Sequence, residues 1–580
     1  MKSKILILFL SMNLLHWSCT DLEEDVLDES LTGSGQAEAI SGAISPAYGQ
    51  VAWTWRHTNY YGLQLIPSDE AILPYRGGVD WFDGGKFMAA QQHLITPSND
   101  LVGSAWNELT INIARSLAAI EVLQPLANEG NTTAAGALFE MKALKGYLNM
   151  LLLDSWGVVF QKDKQSEFSQ VLRGQDAIDY IEEELLSVVD VINDDKGPGR
   201  MTKSAVQGLL ARLYLNAAVY RDPYGTPSFT TEDMNKVIDY CDQIINSGGF
   251  SLSAEYFDLF NDNNNSNTEV IFAADQRGVM QNEHSRWAYW SIPGSLIARP
   301  EYPSSDGTDG PAITSDFYQT WVEAYGAEDP ADADARFYKK NAMVPEELED
   351  LTGLTPLNDQ DHYYCVVPEE FEIDRGILRG ILWGPRKDSN GEFFTCDDGV
   401  RIYPLKQVKG NGPDKDVAYV DLTLQVDFSD EGRAHHSGYR VSKYQFSHTS
   451  PNGNNYSSVD LVLMRLAEIY LMRAEAKLRS GDAAAALADV NTVRASRTAR
   501  PNQTPPALSS INLDIMFRER GFELYWEGFR RGDQIRFGKY EDIWTEKTDT
   551  DVRHRLFPIP QDAIDGSSNI PEFLIQNDGY

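Results

Sequence analysis

Three glutamates four residues apart, Glu519, Glu523 and Glu527, are the densest candidate chemistry in this chain. On a helix that spacing places all three carboxylates on one face, as a general acid–base site would need. Arg518, Arg520, Arg530 and Arg531 stand within a turn or two, while Ile511, Ile515, Phe522, Trp526 and Phe529 supply an apolar side. Charges balanced at such range ordinarily form an ion network, so a structural role is the expectation. With 86 acidic residues present, closeness of some carboxylate pair argues nothing for glycosidase chemistry. The nine histidines include no HExxH pair and no Cys/His cluster, and the chain has neither a GxSxG elbow nor a P-loop. No catalytic residue is expected.

Binding chemistry is denser. SDEAILPYRGGVDWFDGGKF (68–87) holds Tyr75, Arg76, Trp81, Phe82 and Asp83 among glycines that argue for an exposed loop. A second stretch, 284–310, holds Trp287, Tyr289, Trp290 and Tyr302. A pyranose offers an apolar C–H face that stacks on a flat ring, and hydroxyls that suit planar partners such as Asp, Asn and Arg. Arg76, Asp80, Asp83 and Arg299 flank these rings. The plainer reading is that the rings cap the core beneath their own loops; Trp53 and Trp55, at the end of a helical segment 36–55, are assigned to the core.

No cofactor is expected. The Asn/Asp run 261–267 and the group Asp329, Asp332 and Asp334 carry oxygens that suit calcium, but neither fits the EF-hand spacing, and loops of this composition are ordinarily solvated turns. Beyond Cys19, three cysteines remain, Cys241, Cys365 and Cys396, without CxxC spacing; an odd count permits at most one internal disulfide, and Cys365–Cys396 is its foremost candidate.

The elements that must position these residues read as helices. Val459, Val462, Leu463, Leu466, Tyr470, Ala474 and Leu478 recur at the spacing of one buried face, as do Ala483, Ala486, Leu487, Val490 and Val493. Gly481 suits the left-handed position that ends a helix, and Asp482 can accept from the next helix's free N–H groups. Together, 459–478 and 483–495 predict a tight antiparallel hairpin of the tetratricopeptide kind. Ranges 137–156, 202–220 and 234–246 read as further amphipathic helices, and 517–538 as another. The expected fold is mainly α: a tetratricopeptide-like helical-hairpin scaffold with long loop excursions, forming a single large globule.

Three segments in fixed order then carry a resemblance: Arg465–Arg497 (RLAEIYLMRAEAKLRSGDAAAALADVNTVRASR), Glu519–Gly538 (ERGFELYWEGFRRGDQIRFG), and LFPIPQDAI followed by QNDGY at the end. With NTEVIFA (267–273), MTKSAVQGLLARLYL (201–215) and MKALKGYLNMLLLDSWG (141–157), the chain resembles the SusD/RagB family of Bacteroidetes, lipid-anchored nutrient-binding proteins of the outer membrane. The resemblance implies a scaffold, a ligand-contacting aromatic at Trp81 in the N-terminal loop, and a lid role over a SusC-like TonB-dependent transporter.

The N-terminus agrees with that implication. Lys2 and Lys4 precede an apolar run too short to span a bilayer, and Ser18-Cys19 offers a lipoprotein cleavage site, making Cys19 the acylated residue. Asp21, Glu23, Glu24 and Asp25 resemble an acidic surface-export stretch. Loss of the leader takes the formal charge from −36 to −38, which disfavours nucleic acid and anionic headgroups. The expected organisation is a signal peptide over 1–18, an acidic tether over 19–34, an N-terminal helical region with the ligand loop over 35–250, and a C-terminal region over 251–580 packed with it. The expected function is capture of oligosaccharides at the cell surface and transfer to the transporter. Peptide uptake of the RagB kind and a surface glycoside hydrolase are the alternatives.

Overall fold

A computed structural model describes residues 34–76, 81, 83–276, 286–409, 414–426, 435–453 and 455–580. The leader, Cys19, the acidic stretch after it, Asp80 and Phe82 lie outside the described residues. By backbone contacts the chain divides into residues 1–42 and a compact unit from Ala43 to Tyr580. Helix α1 spans Ser34–Thr54.

The larger unit is framed by helices α2 (Asp100–Asn128), α3 (Thr132–Trp156), α4 (Gly174–Val189), α5 (Lys203–Arg221) and α6 (Thr231–Asn246), each packed on the next. Side chains fix their starts. Asn99 accepts from Leu101 N, Asn131 from Ala134 N, Thr202 from Ala205 N and Thr230 from Asp233 N, satisfying N–H groups that a helix start leaves free. Gly157, at φ 66°, ends α3 in the left-handed conformation that spares glycine a Cβ clash. After a long excursion the chain returns as α7 (Leu466–Arg479), which packs on α6, and α8 (Ala483–Ser496). Gly481 takes φ 90° and Asp482 accepts from Ala485 N, so the predicted α7–α8 turn stands.

Two expected helices are corrected. Residues 461–465 form a strand, paired antiparallel with Val270–Ala274, and only then does α7 begin. Every side chain of both strands is buried, and runs apolar on both faces fit a covered strand as well as a helix. The arginine-rich segment is likewise two helices, α9 (Leu513–Leu524) and α10 (Arg530–Phe537). Trp526 at φ 59° and Gly528 at φ 81° break it between them.

The excursion between α6 and α7 carries short antiparallel sheets. Strand Gly399–Pro404 pairs with Trp383–Pro385, Thr395–Cys396 and Tyr364–Val366 over a core that includes Ile402, Leu405 and Phe371. Cys365 and Cys396 are disulfide-bonded and Cys241 is a buried free thiol. The tail closes the helical frame. Trp156 Nε1 donates to Pro558 O (3.0 Å), and Asn577 Nδ2 donates to Trp156 O (3.0 Å) and Phe557 O (2.8 Å).

Candidate functional site

The glutamate face is buried, and apart from Arg518, 3.4 Å from Glu519, its partners come from outside its own helix. Glu523 accepts from Arg465 (2.7 Å), Arg497 (2.5 Å) and Arg336 (3.3 Å). Glu527 takes Lys443 (2.7 Å) and Arg465 (2.9 Å), and Glu519 takes Arg494 (2.6 Å). Burial alone would push Glu523 up; Arg497, Arg465 and Arg336 overcome it and hold the carboxyl well below the usual range. Arg520, Arg530 and Arg531 turn elsewhere, to Asp533, Asp69 and Asp154. A carboxylate held this firmly ionised cannot serve as a general acid near neutral pH. This is a structural hub.

The two aromatic stretches do come together, through their rings. Trp81 Nε1 donates to Thr308 Oγ1 (2.8 Å), and the Arg286 guanidinium lies 5.7 Å from the Trp81 ring and 5.8 Å from that of Tyr289. A short pairing of Ala71–Ile72 with Ala312–Ile313 ties the stems of the two stretches. Thr314 N, donating to Glu70 O (3.2 Å), extends it.

Arg76, Trp287, Tyr289, Trp290 and Arg299 lie inside this wall, which corrects the exposure expected of them. Trp287, 4% exposed, stacks on Tyr61 with centroids 3.7 Å apart and donates its Nε1 to Trp55 O (2.9 Å). Trp290, 1% exposed, packs among His57, Tyr61 and Phe87. Tyr289 belongs to the core under the sheets. Arg76 is buried and donates to Ser437 O (2.8 Å), and Arg299 is buried against Glu301, Glu372 and His448. The physical reason is shared: large rings and guanidiniums bury well when a neighbouring loop brings rings or carbonyls to meet them.

Trp81 itself is half-buried, as are Tyr75 and Tyr302, and Asp83 is exposed with Lys86 at 3.2 Å. The Trp81 ring stands edge-on to His57, centroids 4.8 Å apart. His57 is wholly buried, and neither ring nitrogen is hydrogen-bonded among the described residues; burial, with Arg286, Arg56 and Lys86 near, pushes its pKa well down and keeps it neutral. Sequence reasoning missed Thr308, Arg286 and His57, which carry no motif.

Several of the candidate calcium oxygens are engaged by protein. Asp334 pairs with Arg336 (2.6 Å), Asp329 with Arg379 (2.8 Å), and Asn264 Oδ1 accepts from Asp460 N (2.8 Å). No group of three or more acidic, histidine or cysteine side chains poised for a metal occurs among the described residues.

The model of the SusD family matches residues 226–550. The starch-binding protein SusD of Bacteroides thetaiotaomicron is 25% identical over 467 residues, 76% of this chain and 72% of that one. A SusD-like protein of Bacteroides ovatus is 24% identical over 422 residues, 70% of each. Among solved structures, surface glycan-binding protein A of Bacteroides thetaiotaomicron, in complex with laminarihexaose, superposes at TM-score 0.62 with 16% identity, covering 93% of this chain and 99% of that one. A SusD superfamily protein of Parabacteroides distasonis reaches 0.63 with 17% identity, covering 95% and 100%, so the likeness of fold spans nearly the whole length. The chain belongs to the SusD family, whose members bind ligands and are not enzymes.

Proposed function

We propose that this chain is a surface glycan-binding lipoprotein of the outer membrane, anchored through Cys19, which captures oligosaccharides and passes them to a SusC-like TonB-dependent transporter. Family membership supports the location and the uptake role. The names of relatives, starch-binding and laminarin-binding, support a glycan as ligand. The observation that carries the reading is Trp81: a half-exposed indole held at its N–H by Thr308, beside the Arg286 guanidinium. A ring fixed at one edge loses little freedom when a pyranose stacks on its face, so the stacking energy is not spent on ordering the side chain. Tyr75 and Tyr302, half-buried, and exposed Asp83 are proposed as supporting contacts; Phe82 keeps the role that the sequence suggests.

Isothermal titration against starch, laminarin and other glycan oligosaccharides, with peptides in parallel, tests this. Saturable binding of a glycan is expected, weakened about tenfold or more by Trp81→Ala, the loss of one stacking platform. Binding of peptides alone would overturn the reading in favour of the RagB-like alternative, and cleavage of the glycan would overturn the non-enzymatic one.

A further inference from the structure

A cavity of about 320 Å³ lies far in sequence from the aromatic loops, among helix ends. It opens where α3 and α5 finish, α4 starts and α10 passes, with Arg555 and Leu556 of the tail completing its wall. Its volume falls at the lower end of small-molecule sites. Leu153, Val219, Ile535 and Leu556 make the lining mainly apolar, and the rings of Tyr220 and Tyr224 add flat surface.

Four charged side chains line it, and three are already neutralised. Arg221 is bidentate on Asp233 (2.6 and 3.0 Å), Arg555 is bidentate on Glu541 (2.7 and 2.8 Å), and Asp154 faces Arg531 at 3.2 Å. Arg173 differs. Its guanidinium donates to Asn577 Oδ1 and Ile575 O, both neutral, at 2.9 Å. Among the described residues no carboxylate forms an ion pair with it. It is also the residue just before α4, whose start has no side-chain cap and whose first residue, Gly174, lines the same cavity. Arg173 is exposed at the mouth, with the Asp578 carboxylate near enough to act on its charge but not paired with it, so its guanidinium can still take a carboxylate.

We infer that this cavity is a second binding site, separate from the glycan face, for a small monocarboxylate with a compact aromatic or short aliphatic body. The carboxylate meets Arg173 at the rim and the hydrocarbon fills the apolar floor. An apolar body in an apolar-lined cleft gains burial, and a single cation at its mouth selects charge without demanding a polyanion. A neutral sugar would leave most of its hydroxyls facing hydrocarbon, at a cost for each unpaired group.

Benzoate and its neutral isostere benzamide, titrated into the purified full-length chain, test the assignment. Benzoate is expected to bind saturably, with benzamide weaker by about tenfold or more. Arg173→Gln should cost a similar factor for benzoate. Gly532→Leu should abolish binding by filling the cleft, since a Cβ added at Gly532 meets nothing nearer than Asp154 at 3.9 Å. Glycan affinity should be unchanged in both variants, so failure here and failure of the glycan reading are told apart. Absence of saturable benzoate binding, equal affinity for benzamide, or indifference to Arg173→Gln would each overturn the inference. Should Gly532→Leu not fold, the benzamide and Arg173→Gln arms still decide it.

Discussion

Around Glu523 each oxygen of Glu269, Glu519, Glu523 and Glu527 has a guanidinium or ammonium within 3.5 Å, all but that of Arg518 supplied from segments outside the glutamates' own helix. Around Trp287 the contacts are ring on ring, and where an N–H meets an acceptor it does so singly. Both regions are built from residues that could do chemistry, and both bury most of them. They differ in what burial demands. An ion in the interior must be paired almost completely, or the cost is several kcal/mol; an aromatic ring needs only shape. The hub therefore closes on itself, whereas the wall can present a ring such as Trp81 at its margin with little penalty. The proposed ligand contact at Trp81 sits where incomplete burial costs little.

Breaking the hub should show the larger effect. Arg465→Met leaves Glu523, Glu527 and Glu269 short of a shared cation and is expected to destabilise by about 3–5 kcal/mol, read as a lowered urea midpoint. Trp287→Ala opens a cavity against Tyr61 and Tyr444 and is expected to cost about 3 kcal/mol in the same measurement.

pH separates the regions further, with opposite signs. Glu475 accepts from Arg536 and Arg479 in a satellite of the hub; burial would raise its pKa, but Arg536, Arg479 and Arg520 lower it to about 2. Its contribution is present above the ordinary value of 4.5 and is lost as pH falls toward 2, so Glu475→Gln should flatten the acid limb of stability there. Glu70, beneath the aromatic wall, is raised by burial to about 8 despite Arg530. Its folded state holds a proton that the unfolded state releases, so this contribution is full below pH 4.5 and is lost as pH rises through 8. Glu70→Gln should remove that decline, a comparison of unfolding free energies at pH 5 and pH 8.5 being the check.

The smallest stability change belongs to the margin. Trp81→Ala is expected to lower stability by no more than about 1 kcal/mol, as for a half-exposed side chain, while weakening glycan binding. A change as large as that for Trp287 would make Trp81 part of the core and dissolve the distinction.

Much of the frame was legible because its cues are local. Caps at Thr202 and Asp482, the positive φ of Gly481 and the apolar spacing in α3, α5 and α8 depend on residues within a turn or two. Segment 461–465 was not, since its strand identity rests on Val270–Ala274, nearly two hundred residues earlier. The break at Trp526 and Gly528 likewise follows from the fold around it: Tyr61 OH donates to Trp526 O (3.2 Å), and the Trp526 N–H donates to Glu70 (3.1 Å).

At the candidate site, residue types alone picked out both aromatic stretches, and the structure joins them through Trp81 and Thr308. Which rings face outward was beyond local reading. Trp81 and Trp287 have the same side chain, each with a second aromatic and an arginine within a few residues; the approach of Tyr61 and Trp55 encloses one of them. Sequence by itself thus determined helix periodicity, caps and the family, because those are written in short-range spacing. The choice of buried and exposed chemistry was made by tertiary contact, because burial depends on what the rest of the chain brings alongside.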